Sequence, residues 1–369
     1  MKERKKMLIT GGHVTPALAV VDTLKEKNIA CDVVFVGRKY VNKKETAFSF
    51  EYTEVVKRHI PFLHLNAGRL TRLFHIKSFL SVLRIPVGFY EAYKIIRQQK
   101  PDIVLTFGGY LGLPIALSAK LQGIPVYSHE QTIHPGIANR IIAFLARRIF
   151  VSFPESVKYF NKRRTLVTGN PIRASVFKKG KFIAPESIPC LYVTGGSLGA
   201  HSVNTHIERI LPDLLRTFVV IHQTGNVSEF RDFERLKELK STLEPLLQER
   251  YFLQEHFLDN EIGSVYGRAD IVVGRSGANT FFELMALHKP AVFIPLPWSA
   301  NDEQRQQAYI FKENGLGEVF EQNRSSTELF ELIQAVKQNL DDYKKRFDQI
   351  SQKYNTHAAD TIIHTIFKE

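Results

Sequence analysis

Two short segments, one at the start of the chain and one at its middle, share a single pattern. Residues 6–10 (KMLIT) form an apolar run that ends in Thr10-Gly11-Gly12-His13, and VTPALAV follows with helical spacing. Residues 190–194 (CLYVT) end in Gly195-Gly196-Ser197, and Leu198-Gly199-Ala200 opens a second helical stretch. A buried strand, a sharp glycine turn and an amphipathic helix form the opening unit of a parallel α/β sheet. Its occurrence once in each half predicts two such sheets.

The rest of the chain supports that division. Lys6–Thr10, Asp32–Gly37, Asp102–Phe107, Pro125–His129, Ile149–Phe153 and Leu166–Thr168 read as strands. Helical patterns such as Pro16–Lys27 and Gly112–Gln122 lie between them. The alternation then restarts with Cys190–Thr194, Phe218–His222, Tyr251–Leu253, Ile271–Val273 and Ala291–Ile294. Continuous apolar strands separated by helices imply parallel sheets with right-handed crossovers. The stretch from Asn170 to Pro189 has three prolines and no clear strand, so a hinge is expected there. The expected domains are 1–170 and 171–345, with 346–369 as a C-terminal helix packing back on the first.

Charge is divided unequally. Residues 1–170 carry 27 Lys and Arg against 11 Asp and Glu, a net of +16, and residues 171–369 carry 23 against 26, a net of −3. Such asymmetry suits a first half that faces a polyanion, whether nucleic acid, anionic lipid or phosphorylated substrate, although a merely solvated basic face would look the same. Cys31 and Cys190 are too few for a disulfide framework or a four-ligand zinc site. The N-terminal apolar stretch runs straight into Gly11, too short for a signal peptide, and no run reaches the ~20 apolar residues of a membrane span. The expectation is a soluble protein in a reducing compartment, at most lying on a membrane surface.

Glycine turns followed by helix N-termini present N–H groups and partial positive charge to an anion. Neither turn reads GxGxxG, and the chain has no GxxxxGK[ST], which argues against NAD and Walker-type ATP binding. A third anion-binding terminus is expected in residues 269–283 (ADIVVGRSGANTFFE), where a strand ends at Gly274 and a helix begins near Thr280. Glu283, in or just beyond the first turn of that helix, suits a ribose diol; a helix-capping role is the plainer alternative. Gln304 and Gln307, after the Pro295–Pro297 turn, have amides able to read sugar hydroxyls. Two cradles facing one cleft suit a donor on one side and an acceptor on the other, the logic of a nucleotide-sugar transferase.

At these residues the chain closely resembles the MurG family. The likeness is collinear through TGGHVTPALAV, LTFGGYLGLPIALSAKLQGIP, HEQTIHPGIANR, TGNPIR, TGGSLGAHSVN, HQTG, GRSGANTFFEL and PLPWSANDEQ. The resemblance implies a GT-B fold: two Rossmann-like, doubly wound parallel-sheet domains facing a cleft. It implies inverting transfer of N-acetylglucosamine from UDP-N-acetylglucosamine to the undecaprenyl-linked acceptor lipid I, giving lipid II for cell-wall synthesis. No cofactor or metal is implied; the chain also has no Asp-x-Asp pair of the kind that anchors metal in other sugar transferases.

By matched position, Arg173, Gly196, Ser197, Gly199, Ala278, Asn279, Thr280 and Glu283 would hold the nucleotide, with the backbone at Leu258 facing uracil. Gln304 and Gln307 would meet the sugar. Thr10, Gly11, Gly12, Tyr110, His129, Gln131 and Thr132 would line the acceptor side. Five positions depart from the family pattern: Leu8-Ile9 replaces a leading Gly-Gly, Thr132 an asparagine, Leu198 a glutamine and His201 an arginine.

An inverting transfer requires a base for the acceptor hydroxyl. His13 suits that role because an ordinary imidazole titrates near neutrality, at ~6.5. Glu130 is the rival base, or the group that orients a histidine. Residues 57–97 hold eight Lys and Arg against one acid, with aromatic residues interleaved, a composition that suits an anionic membrane surface. With a lipid acceptor, that reading is preferred to RNA, and no nucleic-acid partner is expected; the location implied is the cytoplasmic face of the cell membrane. A transferase with another lipid acceptor, a non-hydrolysing UDP-sugar epimerase and a non-catalytic lipid-pyrophosphate-binding relative are the alternatives.

Overall fold

The computed structural model describes the chain outside residues 1–3, 42–46, 66–84, 179, 181, 183–184, 186, 197, 228 and 351–353. The chain forms two compact units, Met1–Arg173 with Tyr354–Glu369, and Ala174–Lys353.

The first unit is built on strands β1 (Lys5–Gly11), β2 (Cys31–Gly37), β3 (Phe62–His64), β4 (Ile103–Phe107), β5 (Val126–Glu130), β6 (Arg148–Val151) and β7 (Thr165–Val167). They lie in the order β3-β2-β1-β4-β5-β6-β7 and every pairing is parallel. The order reverses between β1 and β4, the place where an open α/β sheet binds its ligands.

The strands alternate their apolar side chains between two cores. Met7, Ile9, Phe35 and Leu105 pack on one face with helix Val14–Glu26 and the C-terminal helix Ala358–Lys368. Leu8, Val36 and Val104 pack on the other, against helices Ile85–Gln99, Gly109–Leu121 and Ile137–Leu145. Period-two alternation within continuously apolar strands is what a sheet covered on both faces requires. Each fully buried Leu, Ile or Val contributes roughly 1.5–3 kcal/mol. The C-terminal helix is also held by charge: Glu369 pairs with Arg147 at 3.1 Å and Arg148 at 2.6 Å, and Asp360 with Lys27 at 2.5 Å.

The second unit contains β8 (Cys190–Thr194), β9 (Val219–Gln223), β10 (Tyr251–Gln254), β11 (Ile271–Gly274), β12 (Ala291–Phe293) and β13 (Gly317–Val319). Their order is β10-β9-β8-β11-β12-β13, again entirely parallel. Helix His201–Thr217 packs Val203, Ile207, Ile210, Leu211 and Leu214 against the sheet in a 3–4 spacing. The strands read from sequence are all present. β3 and β13 were not expected; each is three residues long and sits at a sheet edge.

Candidate active site

In the first unit the residues expected on the acceptor side gather at the carboxyl ends of β1, β4 and β5. Gly11 has φ +151°, and a Cβ there would lie 2.7 Å from the backbone of Phe107. Gly12 N–H donates to the Gly108 carbonyl at 3.0 Å. The first turn therefore rests on a second glycine pair, Gly108-Gly109, both at positive φ. Thr10 is fully buried, and its hydroxyl has no hydrogen-bond partner.

His13 is the residue just before helix Val14–Glu26, and its side chain makes no capping bond. Burial lowers its pKa below the ordinary 6.5, and the negative charge of Glu130 opposes that shift in part. His129 is buried, and burial pulls its pKa down to about 3, with the Gly169 carbonyl opposing and His13 adding to the depression. His129 Nε2 donates to the Gly169 carbonyl at 3.2 Å, which leaves Nδ1 as a buried lone pair without a partner.

Glu130 is buried and its carboxylate is fully engaged. One oxygen accepts from Thr132 N at 2.8 Å and Thr132 Oγ1 at 2.7 Å; the other accepts from Asn139 Nδ2 at 2.6 Å. Asn139 Oδ1 in turn accepts from Gly109 N at 3.0 Å, so a chain of hydrogen bonds ties Glu130 to the glycine turns. Gln131 Oε1 is buried without a partner. Tyr110 is half-buried on helix Gly109–Leu121. Asn139 was not singled out from sequence. Its signal was a buried amide on the helix IANRIIAFL, where Arg140 is the other polar residue and is exposed.

In the second unit, Gly196 has φ +84° and its N–H donates to Thr194 Oγ1 at 3.1 Å. Ser197 lies outside the described residues. Gly199 has φ +83°, and a Cβ there would collide with the Thr224 carbonyl, so the turn packs directly on Thr224-Gly225. Helix Ala278–Leu287 begins two residues before the expected Thr280. Ala278, Asn279 and Thr280 form its first turn, where helical N–H groups have no intrahelical acceptor. Glu283 therefore lies in the second turn, away from the capping positions; it is buried and accepts from Tyr266 Oη at 2.9 Å.

Gln304 organises its own loop. Its Oε1 accepts from Leu296 N at 3.1 Å, its N–H donates to Ser299 Oγ at 3.2 Å, and its carbonyl accepts from Ser276 Oγ at 2.6 Å. The side-chain NH₂ can still serve a sugar hydroxyl. Gln307 is buried and donates to Glu303 at 2.7 Å, while its Oε1 has no partner. Leu258 is exposed, but its N–H donates to Glu261 Oε2 at 2.8 Å and its carbonyl accepts from Glu261 N at 2.9 Å. Arg173 is half-buried and closes the main segment of the first unit. Among the described residues no group of three or more His, Cys, Asp or Glu side chains is arranged to hold a metal.

Two parallel-sheet units with glycine turns at their strand ends are the architecture of a GT-B glycosyltransferase. The chain matches the glycosyltransferase family 28 N-terminal domain over residues 10–151 and its C-terminal domain over residues 190–364. It is 31% identical over 379 residues to the UDP-N-acetylglucosamine--N-acetylmuramyl-(pentapeptide) pyrophosphoryl-undecaprenol N-acetylglucosamine transferase of Clostridium perfringens (strain SM101), covering 99% of both chains. The enzyme of the same name from Clostridium tetani is 32% identical, with 99% of this chain and 98% of the relative covered. Among solved structures, Acinetobacter baumannii MurG shares the fold with a TM-score of 0.73 at 24% identity, over 99% of this chain and 100% of that one. The UDP-GlcNAc 2-epimerase of Neisseria meningitidis shares it with a TM-score of 0.66 at 14% identity, over 99% and 100% of the two chains. The chain belongs to the MurG family of N-acetylglucosaminyltransferases.

Proposed function

We propose that this protein transfers N-acetylglucosamine from UDP-N-acetylglucosamine to lipid I with inversion, giving lipid II. The observation that carries this reading is the full-length likeness to transferases named for that donor and acceptor. The first unit would hold the acceptor and the second the donor.

His13 is the base. A desolvated imidazole whose pKa is lowered is neutral at pH 7 and ready to accept a proton. As the acceptor hydroxyl oxygen attacks the anomeric carbon, its proton passes to His13, and the bond from that carbon to UDP breaks with its electron pair leaving on the diphosphate. The Glu130 charge favours the imidazolium so formed. Glu130 itself, with three hydrogen bonds already accepted, stabilises and orients rather than deprotonates. The Gly195–Gly199 turn and the N-terminus of helix His201–Thr217 neutralise the departing diphosphate without need of a metal.

Unit one also offers a surface for the lipid. Helices Ile85–Gln99, Gly109–Leu121 and Ile137–Leu145 pack side by side and expose Val87, Tyr90, Tyr93, Leu121, Ile141 and Phe144. Lys94, Arg97, Lys120 and Arg140 accompany them. Residues 66–84 of the basic, aromatic stretch lie outside the described residues. Among the described residues no helix is long and apolar enough to cross a membrane. The reading is peripheral attachment to the cytoplasmic face of the cell membrane through this surface.

The deciding assay combines purified protein, UDP-N-acetylglucosamine and a lipid I analogue, with and without EDTA. A β-linked disaccharide product in both conditions is expected. An epimerised donor, or acceptor binding without turnover, would replace this reading, and activity lost in EDTA and restored by Mg²⁺ would remove its metal-free part.

A further inference from the structure

Gln223 ends β9. It is 8% exposed and stands opposite Thr194 of β8 and Gln254 of β10 in the parallel register. Its amide reaches over both neighbouring strands. On one side Nε2 donates to the Gly196 carbonyl at 3.1 Å and lies 3.5 Å from Thr194 Oγ1. Toward the other, Oε1 accepts from Phe257 N at 3.3 Å, and it also accepts from Tyr192 Oη of β8 at 3.4 Å. One planar amide therefore joins the glycine turn after β8 to the segment that follows β10, and these strands are not adjacent.

Backbone bonds and packing support the base of that junction, through Thr224-Gly225. Thr224 N and Gly225 N pair with the carbonyls of Gln254 and Glu255 at 3.0 Å each, which fixes β9 to the base of the β10 loop. Among the described residues, the outer reach of the turn, at Gly196, is hydrogen-bonded to its own Thr194 and Gly199 and to Gln223. A Cβ built on Gly196 would meet nothing within 4 Å, so its glycine answers to a positive φ and the space over the turn is open.

We propose that Gln223 is a positioning residue for the donor. It sets the glycine turn and the Phe257–Leu258 segment in one register, so that the diphosphate and the base of a single uridine nucleotide are met together. This rests on the donor reading of the second unit. The chemistry requires a primary amide, because one end must donate to a carbonyl and the other must accept from an N–H. An ionised carboxylate would face the Gly196 carbonyl with no proton to give. Methionine matches the shape and offers neither group. Loops held in the bound geometry before the nucleotide arrives spare it the ordering cost.

The test is calorimetric titration of the full chain with UDP, together with steady-state kinetics. Gln223→Met is expected to weaken UDP binding about tenfold and to raise KM for UDP-N-acetylglucosamine in step, with kcat changed less than about threefold. Gln223→Glu, whose carboxylate has no proton to give the Gly196 carbonyl, is expected to weaken UDP binding at pH 8 at least as much; it decides the matter should the methionine variant not fold. A folded Gln223→Met or Gln223→Glu protein with unchanged UDP affinity, or a loss of kcat at constant KM, would overturn the proposal. Wild-type protein that does not bind UDP would overturn the donor reading itself.

Discussion

Thr132 donates two hydrogen bonds to a single oxygen of Glu130, from its backbone N at 2.8 Å and its hydroxyl at 2.7 Å. The resemblance places an asparagine here, whose side-chain N–H would serve the same carboxylate in place of the threonine hydroxyl. Hydrogen bonds to a charged group are worth about 1.5–3 kcal/mol. Thr132→Val, which keeps shape and the N–H, is expected to lower kcat about tenfold and the melting temperature by several degrees. Thr132→Asn should stay within about threefold of wild-type kcat. Equal activity in all three proteins would show that the carboxylate does not depend on this bond.

His13→Ala is expected to reduce kcat by about 10²–10⁴, the usual contribution of a positioned base, while UDP affinity stays unchanged. His13→Ala protein with near-normal turnover would take His13 out of the role. Because its pKa lies below 6.5, kcat should fall on the acid side at a pH below that value, where His13 becomes protonated.

Stability should weaken in mild acid. His129 and His222 are fully buried, and burial lowers both from 6.5 to about 3. The unfolded chain protonates both near 6.5, whereas the folded chain holds them neutral down to about 3. The unfolded state thus binds more protons across that window. The contribution is complete above pH 6.5 and is lost as the pH falls, at about 1.4 kcal/mol per pH unit for each histidine. Urea midpoints should drop clearly between pH 7 and pH 5; identical midpoints would refute the effect.

Glu283 is buried against Tyr266, at 2.9 Å, on the second turn of its helix. If it holds the ribose diol, Glu283→Gln should raise KM for UDP-N-acetylglucosamine about 10–100-fold, in keeping with a charged hydrogen bond. The variant should also lose the preference for UDP over its 2′,3′-dideoxy analogue, measured by calorimetry. A preference retained at full strength would place the diol elsewhere.

Membrane attachment should depend on Phe144 and Tyr90, which are 79% and 70% exposed. Sedimentation with phosphatidylglycerol vesicles should pull down wild type at low salt and much less at high salt. Phe144→Asp should reduce the bound fraction about tenfold, the loss expected on removing one buried aromatic ring. Binding that is insensitive both to salt and to Phe144→Asp would exclude this surface.

The amino-acid sequence by itself determined the two parallel-sheet units and the ends of their strands at which ligands bind. Continuous apolar strands such as residues 103–107 and 190–194, each closed by a glycine turn, admit few other arrangements. Those signals are local, carried by period and by turn chemistry within a dozen residues. Only the tertiary structure decided how the turns are supported. It set Gly108-Gly109 beneath Gly11-Gly12, brought Asn139 to Glu130, and laid the Gln223 amide between Gly196 and Phe257. It also added β3 and β13, three-residue edge strands whose pairing comes from a neighbour rather than from their own pattern. These contacts join residues distant in sequence, and their partners are chosen by strand order and burial. No periodicity in a single strand or helix encodes which donor will meet which acceptor.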